Sequence, residues 1–211
     1  MRDEPNFDRV ARIYRWAEYA SLGPLLQRTR THFLPQLMDR RNALVLGDGD
    51  GRFLERLMRQ NPQLHATAVD TSATMLQLLR QRCGDAARLR TLQVSALEIE
   101  VPHGVDLIVT HFFLDCLPQA DVEALAQRVA AKTEQGTLWL LSDFQVPERP
   151  VVGPLSKLYI RGLYLAFGVL TGLRVRSLPD PQGALKRAGF TCIGRHEKLR
   201  GLIYAEIWQH Q

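Results

Sequence analysis

A four-residue apolar run, Ala43-Leu44-Val45-Leu46, empties directly into Gly47-Asp48-Gly49-Asp50-Gly51 and then into the helical spacing of Phe53 to Gln60. No other feature of the chain narrows its fold as much. A short continuous apolar run without polar alternation fits a central parallel strand buried on both faces. Glycine at three alternate positions lets the backbone turn tightly and lets a ligand approach it, while the helix that follows offers its N-terminus. The pattern then repeats. Leu64 to Val69 reads as a second strand ending at Asp70, Ser72 to Cys83 as a helix, and Leu89 to Val94 and Val105 to Thr110 as further strands. Asp121 to Thr133 is a helix and Thr137 to Ser142 a fifth strand. Such alternation predicts a parallel sheet with right-handed crossovers.

Both ends depart from this rhythm. Val10, Ile13, Tyr14 and Ala17 recur on one helical face, Gly23-Pro24 breaks the chain, and Leu25 to Met38 resumes helical spacing. Residues 1–40 therefore read as an N-terminal helical cap. At the other end, Pro181 to Ala188 is a helix closed by Gly189. Phe190 to His196 and Leu202 to Trp208 are then two apolar runs separated by only Glu197 to Gly201. A parallel return needs a dozen or more residues, so these two strands must be antiparallel.

No repeat, linker or low-complexity tract divides the 211 residues, and one domain over 1–211 is expected. Cys83, Cys116 and Cys192 are odd in number and lack metal-ligand spacing, which argues against a disulfide framework and a metal site. With the polar stretch Met1 to Asp8, they suggest a cytoplasmic protein. The net charge of +5 comes from arginines spread along the chain, such as Arg40, Arg59, Arg88 and Arg174, rather than from one basic run. That spread reads as solvated surface, so no nucleic-acid partner is expected.

Asp70 follows Gly51 by 19 residues and ends the second strand, where a carboxylate can accept both hydroxyls of a ribose. A dinucleotide and S-adenosylmethionine both carry such a ribose. Asp48 and Asp50 would oppose a pyrophosphate but favour a sulfonium and an ammonium, and the spacing differs from GxGxxG. The segments ALVLGDGDGRFL, AVDTSATML, VDLIVTHFFLDCL, WLLSDF, ALKRAGF and LIYAEIW resemble the ordered motifs of class I S-adenosylmethionine-dependent methyltransferases. The opening NFDRVARIYRWAEY resembles the ubiquinone/menaquinone C-methyltransferase-like branch. The resemblance implies an α/β fold, a Rossmann-like seven-stranded, mostly parallel sheet with helices on both faces and an antiparallel last strand. It further implies that Gly47, Gly49 and Gly51 line the methionine part of the cofactor, with Asp48 beside them, and that Asp70 holds the ribose. Thr71, Met75, Ser95, Ala96 and Leu97 would surround the adenine, Thr110, His111 and Phe112 would pass beneath the cofactor, and Tyr14 would close over it. Two positions depart from the family: Val45 stands where an acid is common, and Ser95 where aspartate is.

Methyl transfer from sulfur is an in-line displacement, so orientation carries much of the work and a base is needed only for an acceptor that loses a proton. His111 and Asp143 are the catalytic candidates, with Asp115 read as a helix N-cap. Residues 150–178 read as an inserted lid. From Gly162 to Leu173 the lid carries no charge, yet those 12 residues are too short to span a bilayer, for which ~20 are needed. Arg161, Arg174 and Arg176 flank the lid. A small, largely apolar acceptor is expected, phenolic or quinol-like, in a monomer or homodimer that could touch a membrane surface. Three alternatives stay open: an RNA methyltransferase, a non-catalytic S-adenosylmethionine-binding protein, and a nicotinamide-dependent oxidoreductase.

Overall fold

A computed structural model describes residues 23–84, 87–147 and 178–211. Tyr14, the first helical stretch and nearly all of the expected lid lie outside the described residues.

Gly23–Arg30 forms α1. Gly23-Pro24 opens this helix, because a proline in the first turn lacks only an N–H that would have had no partner there. Leu25 to Met38 is not one helix. Pro35 cannot continue the α-helical ladder, so the chain leaves α1 at Arg30 and passes through a 3-10 turn at Leu34–Leu37. Asn42–Leu46 is β1, Arg52–Gln60 is α2, His65–Asp70 is β2 and Ala73–Cys83 is α3. Leu89–Gln93 is β3 and Leu107–His111 is β4. A 3-10 turn at Leu114–Cys116 precedes α4, Gln119–Ala130, and β5 spans Leu138–Phe144. Pro181–Arg187 is α5, followed by β6, Phe190–Lys198, and β7, Ile203–His210.

The seven strands form one sheet in the order β3-β2-β1-β4-β5-β7-β6. β1 to β5 pair in parallel, and β7 runs antiparallel to both β5 and β6. The expected mostly parallel sheet with an antiparallel last strand is the observed one. Chain order reverses between β1 and β4, and a reversal of this kind opens a crevice at the carboxyl ends of the strands.

Side chains alternate between two cores. Leu44, Leu46, Trp139, Leu141, Tyr204 and Trp208 face one side, with Leu125 and Val129 of α4 and Leu185 of α5. Val45, Val109 and Leu140 face the other, with Phe53 and Leu57 of α2 and with Phe33 and Leu37. Each leucine sealed in this way stabilises the fold by roughly 1.5–3 kcal/mol relative to exposure. α1 packs against α2 on one flank and β6 and β7 on the other, and so lies across the second face.

Candidate active site

The crevice is built first by the turn after β1. Gly47, Gly49 and Gly51 all adopt left-handed backbone, with φ of 68°, 59° and 78°. Their surroundings differ. A Cβ on Gly47 would sit 2.4 Å from Cδ2 of Phe113, and one on Gly51 would sit 2.8 Å from Cγ of Leu79 in α3. A Cβ on Gly49 would meet nothing within 4 Å. Two glycines thus permit close packing, and Gly49 alone borders open space. The aspartates between them are structural. Asp48 Oδ2 accepts from Leu54 N at 3.1 Å in the first turn of α2. Asp50 lies 3.0 Å from Arg52 Nε and 2.9 Å from an Arg82 guanidinium nitrogen. The expectation that both acids present negative charge to a ligand is therefore corrected for Asp50, whose charge is matched by two arginines.

Asp70 ends β2 half-buried, and its Oδ1 accepts from Ser72 N at 2.9 Å. That bond sets the carboxylate at the rim of the crevice and leads the chain into α3, whose first turn is capped by Ser72 Oγ accepting from Met75 N. Thr71 is half-buried and Met75 buried beside it. Beyond β3, Ser95 Oγ accepts from Leu97 N at 3.0 Å, so its hydroxyl closes its own turn, and Ala96 is buried in the first core.

Thr110 and His111 point to opposite faces, as neighbours on a strand must. Thr110 is fully buried, and its Oγ1 accepts from Trp139 Nε1 at 2.9 Å. His111 is 2% exposed and meets Phe53 edge-on at 4.4 Å, and neither ring nitrogen has a hydrogen-bond partner. Burial first, and the Arg30 charge second, push its pKa well below 6.5, so the imidazole is neutral near pH 7. Phe112 follows with φ of 53°, a left-handed conformation that costs a non-glycine residue about 1–2 kcal/mol. The kink lays the Phe112 ring beneath the Arg30 guanidinium, 5.0 Å from its carbon, while Phe113 next in the chain reaches back to Gly47.

Asp143 ends β5 on the opposite face from His111. It is 1% exposed, its Oδ2 accepts from Asp115 N and its Oδ1 from Phe144 N, both at 3.1 Å. Burial, then the neighbouring Asp115 charge, raises its pKa well above 3.8. Asp115 is also buried, inside the 3-10 turn, whereas α4 is capped at Pro118, so the expected N-cap role is overturned. Burial and both carboxylates raise the Cys116 thiol. Cys116 and Cys192 are half-buried rather than sealed in the core as their residue type suggests.

Gly49, Asp70, His111 and Phe112 thus stand at the carboxyl ends of β1, β2 and β4, while the Thr110 and Ser95 hydroxyls are taken up by other bonds. Reading the sequence missed Gln27 and Ser142. Gln27 Nε2 and Oε1 are buried in α1 without partners, and so is Ser142 Oγ on β5. The available signal was strand parity: Ser142 is the register partner of His111 and shares its face.

Residues 43–136 match the family described as a methyltransferase domain. No curated protein matches the sequence. Among solved structures, mitomycin 7-O-methyltransferase MmcR is 17% identical with a TM-score of 0.72, over 98% of this chain and 61% of that one. An O-methyltransferase family 2 protein from Planctomyces limnophilus in complex with apigenin is 17% identical with a TM-score of 0.70, over 100% of this chain and 63% of that one. N-methyltransferase NodS from Bradyrhizobium japonicum, in complex with S-adenosyl-L-homocysteine, is 14% identical with a TM-score of 0.63 and 88% coverage of both chains. The chain spans about three fifths of the length of MmcR. At these identities the likeness is one of fold, a Rossmann-like α/β sheet flanked by helices. Among the described residues no helix is long and apolar enough to cross a membrane, and no cluster of three or more metal-binding side chains occurs.

The residues fit S-adenosylmethionine. Gly49 leaves the turn open, Asp70 provides an acceptor for sugar hydroxyls, and Met75 offers an apolar flank. A neutral His111 adds no positive charge to repel a sulfonium.

Proposed function

We propose that this protein is an S-adenosylmethionine-dependent methyltransferase acting on a small, largely apolar acceptor, phenolic or quinol-like. The carrying observation is the open turn at Gly49 and the rim carboxylate of Asp70, set side by side on adjacent strands within a stretch that matches a methyltransferase domain. The likeness to a methyltransferase crystallised with apigenin supports a phenolic acceptor. When bound, S-adenosylmethionine supplies a methyl group made electrophilic by a sulfonium.

The chain's own residues do the rest. Gly49 and Asp70 orient the methionine and ribose ends, with Thr71, Met75 and the Ser95–Leu97 segment bordering the base. Tyr14 closes the site in this reading. Phe53 and Phe112 exclude water, which strengthens every electrostatic contact inside. His111, neutral, accepts a hydrogen bond at a ring nitrogen from an acceptor hydroxyl and takes up its proton as the oxygen is methylated. Asp143 acts as a positioning residue: its carboxyl holds the turn after β4 through Asp115 N. The same reading places the protein in the cytoplasm, as a monomer or homodimer without a nucleic-acid partner.

Isothermal titration of purified protein tests the cofactor. Saturable one-to-one binding of S-adenosylhomocysteine, with none of NAD, is expected. A folded sample that binds neither sulfur nucleoside ends the proposal. Salt-sensitive retention on RNA would point instead to a nucleic-acid acceptor.

A further inference from the structure

Among the described residues, Gln27 Nε2 and Oε1, His111 Nδ1 and Nε2, Arg128 Nε and Ser142 Oγ are buried without a hydrogen-bond partner. All but Arg128 belong to α1 and the ends of β4 and β5. Buried polar groups are nearly always satisfied, because leaving one unpaired forfeits its hydration without replacement. A scatter of isolated exceptions would carry little meaning, but these converge.

His111 and Ser142 are register partners on adjacent parallel strands, side by side on the face that α1 covers, and are 2% and 0% exposed. Gln27 lies three residues before Arg30 on the same face of α1, and the Arg30 guanidinium is close enough to lower the basicity of His111. Apolar rings, Phe53 and Phe112, border the group.

We infer that Gln27, His111 and Ser142 form the recognition pocket for the acceptor's polar edge, a neutral hydroxyl-and-carbonyl pair on an apolar body. The inference rests on the methyltransferase reading and names what its acceptor presents. Hydrogen-bond capacity selects the class. Gln27 offers donors and an acceptor, neutral His111 offers one of each, and Ser142 offers both through a single hydroxyl. A carboxylate or phosphate, which only accepts, leaves either the Gln27 carbonyl or the accepting imidazole nitrogen unsatisfied even when the Ser142 hydroxyl donates to the other. A cation meets the Arg30 charge. A hydroxyl beside a carbonyl donates once and accepts repeatedly, and matches the set.

Position separates this pocket from the cofactor's. The glycine turn and Asp70 sit on β1 and β2, whereas Ser142 on β5 is two strands beyond β1, about 10 Å at ~4.8 Å per strand. His111 on β4 lies between them. That is where an acceptor must be to meet a methyl group held over β1.

The test uses the full chain saturated with S-adenosylhomocysteine, with 2-hydroxyacetophenone as the probe and ethylbenzene as the apolar control, followed by saturation-transfer NMR. Gln27→Leu and Ser142→Ala are compared with the unaltered protein. The expected result is probe affinity at least tenfold weaker in each variant, ethylbenzene binding unchanged, and S-adenosylhomocysteine affinity within twofold. Thermal midpoints should hold or rise, since neither side chain loses a protein partner. A tenfold loss of S-adenosylhomocysteine affinity would assign the pocket to the cofactor, and probe binding equal to that of the unaltered protein would show that these atoms hold only water. A drop of several degrees in both variants would make the atoms structural. Each of these three results overturns the inference. Failure of the unaltered protein to bind S-adenosylhomocysteine would instead remove the reading beneath it.

Discussion

Alanine at Gly49 and at Gly47 should separate cofactor space from packing space within one turn. Both glycines have left-handed φ, 59° and 68°, so alanine at either position adopts a strained backbone. The strain costs about 1–2 kcal/mol, offset by about 0.4–1 kcal/mol from a less flexible unfolded chain, for a net of about 1 kcal/mol. At Gly49 nothing else is added, because no atom lies within 4 Å of the new methyl. For a domain of this size about 1 kcal/mol shifts the thermal midpoint by about 2–4 °C. At Gly47 the methyl would lie 2.4 Å from the Phe113 ring, which must move. Forced repacking adds about 1–3 kcal/mol, so Gly47→Ala should lose about 3 kcal/mol and about 6–12 °C. Affinity should run in the other order. Gly49→Ala, mildly destabilised, should bind S-adenosylhomocysteine at least tenfold more weakly, because its methyl enters the space left for the ligand. Differential scanning fluorimetry and calorimetric titration of both variants decide the matter. If Gly49→Ala binds S-adenosylhomocysteine as tightly as the unaltered protein, the open space over that turn is not the cofactor's, and the reasoning fails.

Thr110→Val should leave S-adenosylhomocysteine affinity unchanged while costing about 1–3 kcal/mol in urea unfolding, since it strands the buried Trp139 Nε1 without an acceptor. Affinity that falls with little loss of stability would instead put Thr110 against the cofactor. Asp143 has a pKa raised in the folded protein above its ordinary 3.8, so its contribution to stability is fully present below about 4 and is lost as pH rises through the raised value. Asp143→Asn should therefore flatten the fall in unfolding free energy above pH 4, and an unchanged slope would contradict a protonated Asp143. His111 titrates well below 6.5, so kcat/KM should show no acid limb near pH 6.5, and a midpoint at that pH would mean that the imidazole is solvated. His111→Asn should lower turnover of a hydroxyl acceptor by about 10²-fold or more, at the lower end of what a positioned base contributes. Turnover equal to that of the unaltered protein would remove it as the base.

Strand identity, the identity of the helices after β1 and the glycine turn were legible from local chemistry. A continuous apolar run such as Ala43 to Leu46 can be buried on both faces only in a central strand, and five residues between Phe190–His196 and Leu202–Trp208 permit only an antiparallel return. Those constraints act within a few residues, so they survive in the one-dimensional pattern. Asp50 read as a cofactor-facing charge because Arg82, 32 positions away, is not its neighbour until α3 packs beside the turn. That the Thr110 hydroxyl is taken up by Trp139 shows only once β5 pairs with β4. Ser142 and Gln27 carried no motif at all. What makes them a site is burial without partners beside His111, a property of how α1 crosses the sheet. Electrostatic and hydrogen-bond accounting depends on every group within reach in space, and the packing of distant segments sets that list.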